Sequence, residues 1–140
     1  HMYFTKREVH REGLWVWISF TDQWVEGGAF EDLLNLWISY YDAQQPFTFV
    51  FETQSLTTIP SLSYAFQMAL FIRTLTCRPK QYLQESHIFV SHKYLVSLLD
   101  WIFAIQRPVA PVYIYHGGDP LTRLTPDVHV RVCTDIPLRE

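Results

Sequence analysis

The chain has 140 residues, of which 49% are hydrophobic and 18% are charged, and its formal net charge is -3. A chain of this length buries about two thirds of its unfolded surface in one core, which indicates a single folded domain and argues against disorder. Because it has no basic run, it lacks the positive patch that phosphate-driven nucleic-acid binding needs. Its apolar runs also fall short of the roughly 18 residues that predict a membrane-crossing helix.

The residues that usually carry chemistry are scattered along the chain. Cys77 and Cys133 match neither a metal-site spacing nor a disulfide framework, which favours a reducing, cytoplasmic location. No histidine pair has the spacing of metal ligands on a helix, and no Gly-x-Ser-x-Gly nucleophile motif is present. The sequence therefore predicts no metal, no cofactor, no catalytic residue and no enzymatic activity.

The first third of the chain predicts a hairpin followed by a helix. A weak strand near residues 3–9, the polar turn at residues 11–13 and the apolar run Leu14–Phe20 are typical of an antiparallel pair. After Gly27 and Gly28, apolar side chains recur with helical spacing from Phe30 to Tyr41. Pro46 ends this pattern.

The middle of the chain predicts a buried strand and a second helix. The uncharged run Phe47–Phe51 is typical of a central strand. Thr58 and Pro60 indicate a helix start, and this helix continues to about Thr76. It carries two apolar stripes, one through Leu62, Ala65, Phe66 and Ala69 and another through Tyr64, Met68, Phe71 and Leu75. We therefore expect it to be buried on two sides.

The remainder predicts a strand at residues 87–90, a helix over 94–103 and a strand at 111–115 that ends before Gly117. Strands that alternate with helices predict an α/β domain with a mixed, mostly parallel sheet. We place that domain at residues 3–116 and a C-terminal extension at 117–140. In this extension Val128, Val130 and Val132 alternate with polar side chains, which predicts an added strand.

Side chains alternate across each predicted strand, which separates them into an aliphatic and an aromatic set. We expect the aliphatic set to lie under the helices, in a two-layer domain. The aromatic set is either a second core layer or a binding surface for a protein or an apolar ligand. The aliphatic set is Val16, Ile18, Val50, Ile88, Val90, Val112 and Ile114. The aromatic set is Trp15, Trp17, Phe47, Phe49, Phe51, Phe89, Tyr113 and Tyr115.

The predicted order of strands and helices resembles the STAS domain of anti-sigma-factor antagonists and sulfate transporters. The run from Phe49 to Glu52, followed by Leu56–Ser63, is similar to the family's apolar strand with a terminal acidic residue and its Asp-Ser-Ser-Gly helix start. The resemblance implies a phosphoacceptor at Ser61. Pro60, Leu62 and Ser63 stand where the family has Asp, the second Ser and Gly, and Ser61 also fits a plain polar residue of the first helical turn.

Together these features predict a STAS-like, non-catalytic module for protein interaction or scaffolding. Its partner would be another protein or a second copy of the chain, and we expect self-association through Tyr64, Met68 and Phe71. The alternative is a carrier or sensor of an apolar small molecule or lipid that uses the aromatic set. A pocket lined by Trp17, Phe49 and Tyr113 would favour this alternative.

Overall fold

The computed structural model describes residues 4–21 and 28–120 of the chain. Within them, it has β1 (Phe4–His10), β2 (Leu14–Phe20), α1 (Gly28–Asp42), β3 (Phe47–Glu52), α2 (Leu62–Thr76), β4 (Leu83–Val90), α3 (Lys93–Ile105) and β5 (Val112–His116). Each element predicted in this part of the chain is confirmed, although β4 begins at Leu83 and not at His87. The strand predicted around Val130 lies outside the described residues.

The turn between β1 and β2 contains two residues whose backbone φ angles are positive, in the left-handed region. Glu12 has a φ of 53° and Gly13 a φ of 118°, and the amide of Arg11 donates to the carbonyl of Gly13 at 2.8 Å. A φ near 118° is accessible to glycine and strained for other residues. This requirement explains the glycine at the end of the turn.

The five strands lie in the sheet in the same order as in the chain. β1 is antiparallel to β2, and the pairs from β2 to β5 are parallel. Each parallel connection contains one helix, and every connection moves one strand further in the same direction. Right-handed crossovers in one direction place all the helices on one side of a sheet. The result is the predicted two-layer α/β architecture, with a mixed, mostly parallel sheet.

The main core lies between the three helices and what we call the helix-covered face of the sheet. Buried residues of α1, α2 and α3 form one cluster with alternate residues of the strands. The strand residues of this face include Val16, Ile18, Phe47, Phe49, Phe51, Ile88, Val90, Val112 and Ile114. Aromatic packing dominates around β3, where the ring of Phe49 lies 5.1 Å from that of Trp37 and the ring of Phe47 lies 5.0 Å from that of Tyr40.

The opposite side, which we call the second face, carries Trp15, Trp17, Val50, His87, Phe89, Tyr113 and Tyr115. The predicted aliphatic and aromatic sets are therefore wrong in β3. Val16 pairs with Phe49 and Ile18 with Phe51, and paired residues of neighbouring strands point to the same side. The rings of β3 thus join the aliphatic residues under the helices, while Val50 lies among the rings of the second face.

In the part of the chain that the structure describes, every helix falls short of the length and apolar character needed to span a bilayer.

Candidate functional site

The second face carries a row of stacked rings centred on His87. The imidazole of His87 lies 5.5 Å from the Trp15 ring and 5.1 Å from the Tyr113 ring, and it is nearly parallel to both. The guanidinium of Arg11 lies over the Trp15 ring at 5.0 Å and extends the row with a cation–π contact. Residues from β2, β4 and β5 are thereby joined across the sheet.

His87 is also held by hydrogen bonds at both ring nitrogens. Its Nδ1 lies 2.9 Å from the hydroxyl of Tyr115, and its Nε2 lies 2.8 Å from a carboxylate oxygen of Glu85. A neutral imidazole protonated on Nε2 satisfies both contacts, since it donates to Glu85 and accepts from Tyr115. His87 is fully buried and both of its ring nitrogens are engaged, so the imidazole itself does not meet a substrate at the surface, whereas Glu85 is partly exposed. We assign this string of polar groups to the fixed packing of β4 against β5.

The predicted binding residues do not form one surface. Trp15, Trp17 and Tyr113 are half-buried together on the second face, where Phe89 and Tyr115 stack at 4.3 Å with both side chains fully buried. Phe49 and Phe51 lie on the helix-covered face. A pocket between Trp17, Phe49 and Tyr113 is therefore excluded by the sheet itself.

A cavity of about 160 Å³ lies on the other side, between the helix-covered face and the helices. Its walls include Phe51 and Ile88 from the sheet, Trp37 from α1, and Met68 from α2. The described residues that line it include no charged side chain. The cavity is therefore suited to a neutral, mostly apolar occupant.

Thr53, Ser86, Trp37 and Tyr64 add polar groups to the apolar walls. The hydroxyl of Thr53 donates to the carbonyl of Phe89 at 2.6 Å, and Ser86 brings a second hydroxyl from β4. The indole Nε1–H of Trp37 is buried and has no hydrogen-bond partner among the residues that the structure describes. A buried donor without an acceptor is costly, so Trp37 marks the wall where an acceptor would be stabilising.

The residues predicted for self-association are half-buried, and their role in self-association stays a prediction. Tyr64 and Phe71 are half-buried against α1, where their rings contact those of Phe30 at 5.0 Å and Trp37 at 5.1 Å. Met68 is half-buried and lines the cavity. The prediction that α2 is buried on two sides is wrong for Leu62 and Phe66, which belong to an exposed apolar stripe, whereas Ala65 and Ala69 are buried.

That exposed stripe and its counterpart on α3 form what we call the α2–α3 patch. Its members are Leu62, Phe66 and Leu70 on α2, and Tyr94, Trp101 and Ile105 on α3. These large apolar side chains are between 37% and 62% exposed. The prediction assigned Leu62 and Phe66 to buried surface. Leu62, Phe66 and Leu70 recur every four residues, a spacing that places them on one side of α2 but does not show that this side is exposed.

Both stripes border the seam between the two helices. α2 contacts α3, and the stripe of α2 lies beside Ala65 and Ala69, away from the flank that Tyr64 and Phe71 turn to α1. α2 and α3 run in the same direction across the sheet. The side of α3 that faces α2 is therefore equivalent to the side of α2 that faces α1. Helical spacing places Ile105 on the flank of α3 nearest α2, so both stripes border the seam.

Ser61, the predicted phosphoacceptor, is the N-cap of α2. Its carbonyl accepts from the amides of Tyr64 and Ala65, but its side chain makes no capping hydrogen bond. The preceding residue, Pro60, has no amide to donate to an anion at this helix start. Phosphorylation of Ser61 stays a prediction.

The clearest electrostatic perturbation joins β1 to α1. The hydroxyl of Tyr40 donates to the carboxylate of Glu8, which lies 3.5 Å from the ammonium of Lys6. The bond from Tyr40, helped by Lys6, holds the pKa of Glu8 below its usual value. Burial, followed by the bond to Glu8, raises the pKa of Tyr40 far above its usual value. The pair fastens a helix to the edge strand and faces no cavity described above.

Among the described residues, no group of three or more His, Cys, Asp or Glu side chains is placed to hold a metal ion. Comparison with protein-family models, curated proteins and solved structures found no match for this chain.

Proposed function

We propose that this chain is a non-catalytic, STAS-like interaction module that self-associates through the α2–α3 patch. The exposure of this patch is the observation that carries the proposal. Contiguous apolar surface of this kind on a folded domain usually marks a contact site. The order of strands and helices and the run from Phe49 to Ser63 support the STAS-like assignment.

The size of the patch is close to what a dimer needs. Six side chains about half exposed, at roughly 200 Å² for a fully exposed large apolar residue, present about 600 Å². A standard interface buries about 800 Å² on each partner, including a polar rim. The patch therefore supplies most of one side of an ordinary interface.

The charge of the patch favours a second copy over a charged partner. Across the 15 residues of α2 and the 13 of α3, the charged side chains are Arg73, Lys93 and Asp100. An apolar surface is complementary to itself, and a two-fold dimer places the same patch on both sides of the interface. Affinity would come from buried rings such as Phe66 and Trp101.

Two observations favour an interaction role over catalysis. His87, whose ring nitrogens contact Glu85 and Tyr115 as in a catalytic relay, is fully buried on the second face. Cys77 is exposed, and its thiol is 3.8 Å from the carbonyl of Arg73, with no contact to a basic side chain among the residues that the structure describes. The alternative of an apolar carrier that uses the aromatic residues of the sheet receives less support, because Trp17 and Phe49 lie on opposite faces.

Light scattering coupled to size exclusion tests the proposal. We expect the wild-type chain to have twice the monomer mass in the high-micromolar range, and Phe66→Asp to be monomeric. Asn35→Asp adds the same charge on exposed α1 surface and should remain dimeric, provided both variants keep the wild-type circular dichroism spectrum. A monomeric wild type at every concentration would overturn the proposal, and so would a dimer that Phe66→Asp and Leu70→Asp leave intact.

A further inference from the structure

We propose that the cavity between the helix-covered face and the three helices is a binding site for a small, uncharged, mostly apolar molecule that carries one hydrogen-bond acceptor. This site is distinct from the α2–α3 patch and does not depend on self-association. It also differs from the aromatic set of strand residues, which the sequence suggested as a surface for apolar ligands. Its position, size, lining and one orphaned polar group each restrict the ligand.

Size sets the upper limit. The cavity measures about 160 Å³, and dry apolar cavities of about 150 Å³ accept molecules as large as benzene. Interiors are otherwise close-packed, with few voids larger than a water molecule. Met68, Leu98 and Phe103 line this space. Long side chains such as these could fill a small gap, but here a large space remains. We infer a ligand with one ring or a short branched chain.

The lining excludes charge. Aliphatic and aromatic side chains from all three helices and the sheet form the walls, and no described lining residue carries an ionisable acid or base apart from the phenol of Tyr64. An ion in this space would lose its hydration without gaining a counter-charge. Fatty acids, phosphates and amines are therefore poor candidates.

Trp37 supplies the polar requirement. This residue lines the cavity, is only 6% exposed, and its Nε1–H lacks a partner among the described residues. The indole nitrogen is a donor only, so the group that satisfies it must be an acceptor. A ketone, ester or ether oxygen supplies that acceptor without adding charge. Ser86, also buried at the wall, provides a second hydroxyl.

Nuclear magnetic resonance titration with three matched probes tests the site. Acetophenone carries a carbonyl acceptor, α-methylstyrene has almost the same shape without it, and benzoate carries a charge. The indole N–H signal of Trp37 is identified by its loss in Trp37→Phe. We expect acetophenone to shift this signal and to bind about fivefold more tightly than α-methylstyrene, the ratio for one neutral hydrogen bond. Benzoate should cause no shift.

Cavity-filling variants provide the second arm. Ala65→Val and Ala110→Val enlarge side chains at the wall and should weaken acetophenone binding at least tenfold. Ala104→Val makes the same change at an exposed position of α3 and should leave binding unchanged. Absence of a Trp37 shift up to the solubility limit of acetophenone would overturn the site. Equal binding of α-methylstyrene would overturn the acceptor, and tight binding of benzoate would overturn the restriction to uncharged ligands.

Discussion

Replacing Phe49 by alanine should lower the free energy of unfolding by about 4 kcal/mol. Phe49 is fully buried on the helix-covered face, and its ring lies 5.1 Å from that of Trp37 and 4.7 Å from that of Phe51. Burial of about 200 Å² at about 25 cal/mol per Å² gives an upper value near 5 kcal/mol. Phenylalanine truncations in cores cost about 3–5 kcal/mol, including the cavity left behind.

The melting temperature gives an independent measure of the same loss. An unfolding entropy of about 2.1 cal/mol/K per residue gives roughly 0.3 kcal/mol/K for this chain, so a loss of 4 kcal/mol lowers Tm by about 13 °C. Urea titration followed by circular dichroism gives the free energy, and a thermal scan gives Tm. Both should agree if unfolding is two-state.

Phe66→Ala is the matched control, since Phe66 is 49% exposed. It should cost under about 1 kcal/mol at a dilution where the transition midpoint no longer depends on protein concentration. A loss below about 1.5 kcal/mol for Phe49→Ala would refute the placement of Phe49 in the core between sheet and helices. Equal losses for the two variants would refute the contrast between core and patch.

Three further features of the fold can be tested by substitution and urea titration. Tyr40→Phe removes the donor to Glu8 and should lower the free energy of unfolding by about 1 kcal/mol. Because the pKa of Glu8 is lowered and that of Tyr40 is raised in the folded state, this loss should be largest between about pH 5 and 9 and smaller at lower and higher pH. A loss that does not depend on pH would contradict this. Gly13→Ala places a side chain at a φ of 118° and should cost about 1–2 kcal/mol, whereas Glu12→Gly should cost little; equal effects would show that the turn is not strained. Ser61→Ala should cost under about 0.5 kcal/mol because the hydroxyl makes no capping bond, and a loss above about 1 kcal/mol would show that it does cap the helix.

Element type was predictable because the local patterns are strong. The helical spacing from Phe30 to Tyr41 and the uncharged run Phe47–Phe51 each have one natural structure. The start of β4 was missed because Gln84 and Glu85 interrupt its apolar pattern. In the structure the carboxylate of Glu85 hydrogen-bonds to His87 along the same strand, a contact that residue type alone does not signal.

The error in β3 has a different origin. Alternation within one strand is local, but the side of the sheet that each set faces depends on pairing with the neighbouring strand. Phe49 pairs with Val16, so rings and branched aliphatics share a face even though their types suggest separate ones. Chemical type is a property of each residue alone and does not reveal how β3 pairs with β2, so it could not predict which face each residue of β3 occupies.

The surfaces were harder to predict than the elements. α2 has apolar residues around most of its circumference, and the sequence does not say which third stays outside. In the structure the small residues Ala65 and Ala69 are buried, which allows close approach, while Phe66 remains exposed. The cavity could not be predicted because it is the space left after three helices have docked on the sheet.

The strand order has a consequence for how the chain is made. Among the described residues, each strand pairs only with the strands immediately before and after it in the chain. As the polypeptide leaves the ribosome, each strand from β2 to β5 finds a hydrogen-bonding neighbour already synthesised. Synthesis can therefore extend the sheet from β1 towards β5, one strand and one helix at a time.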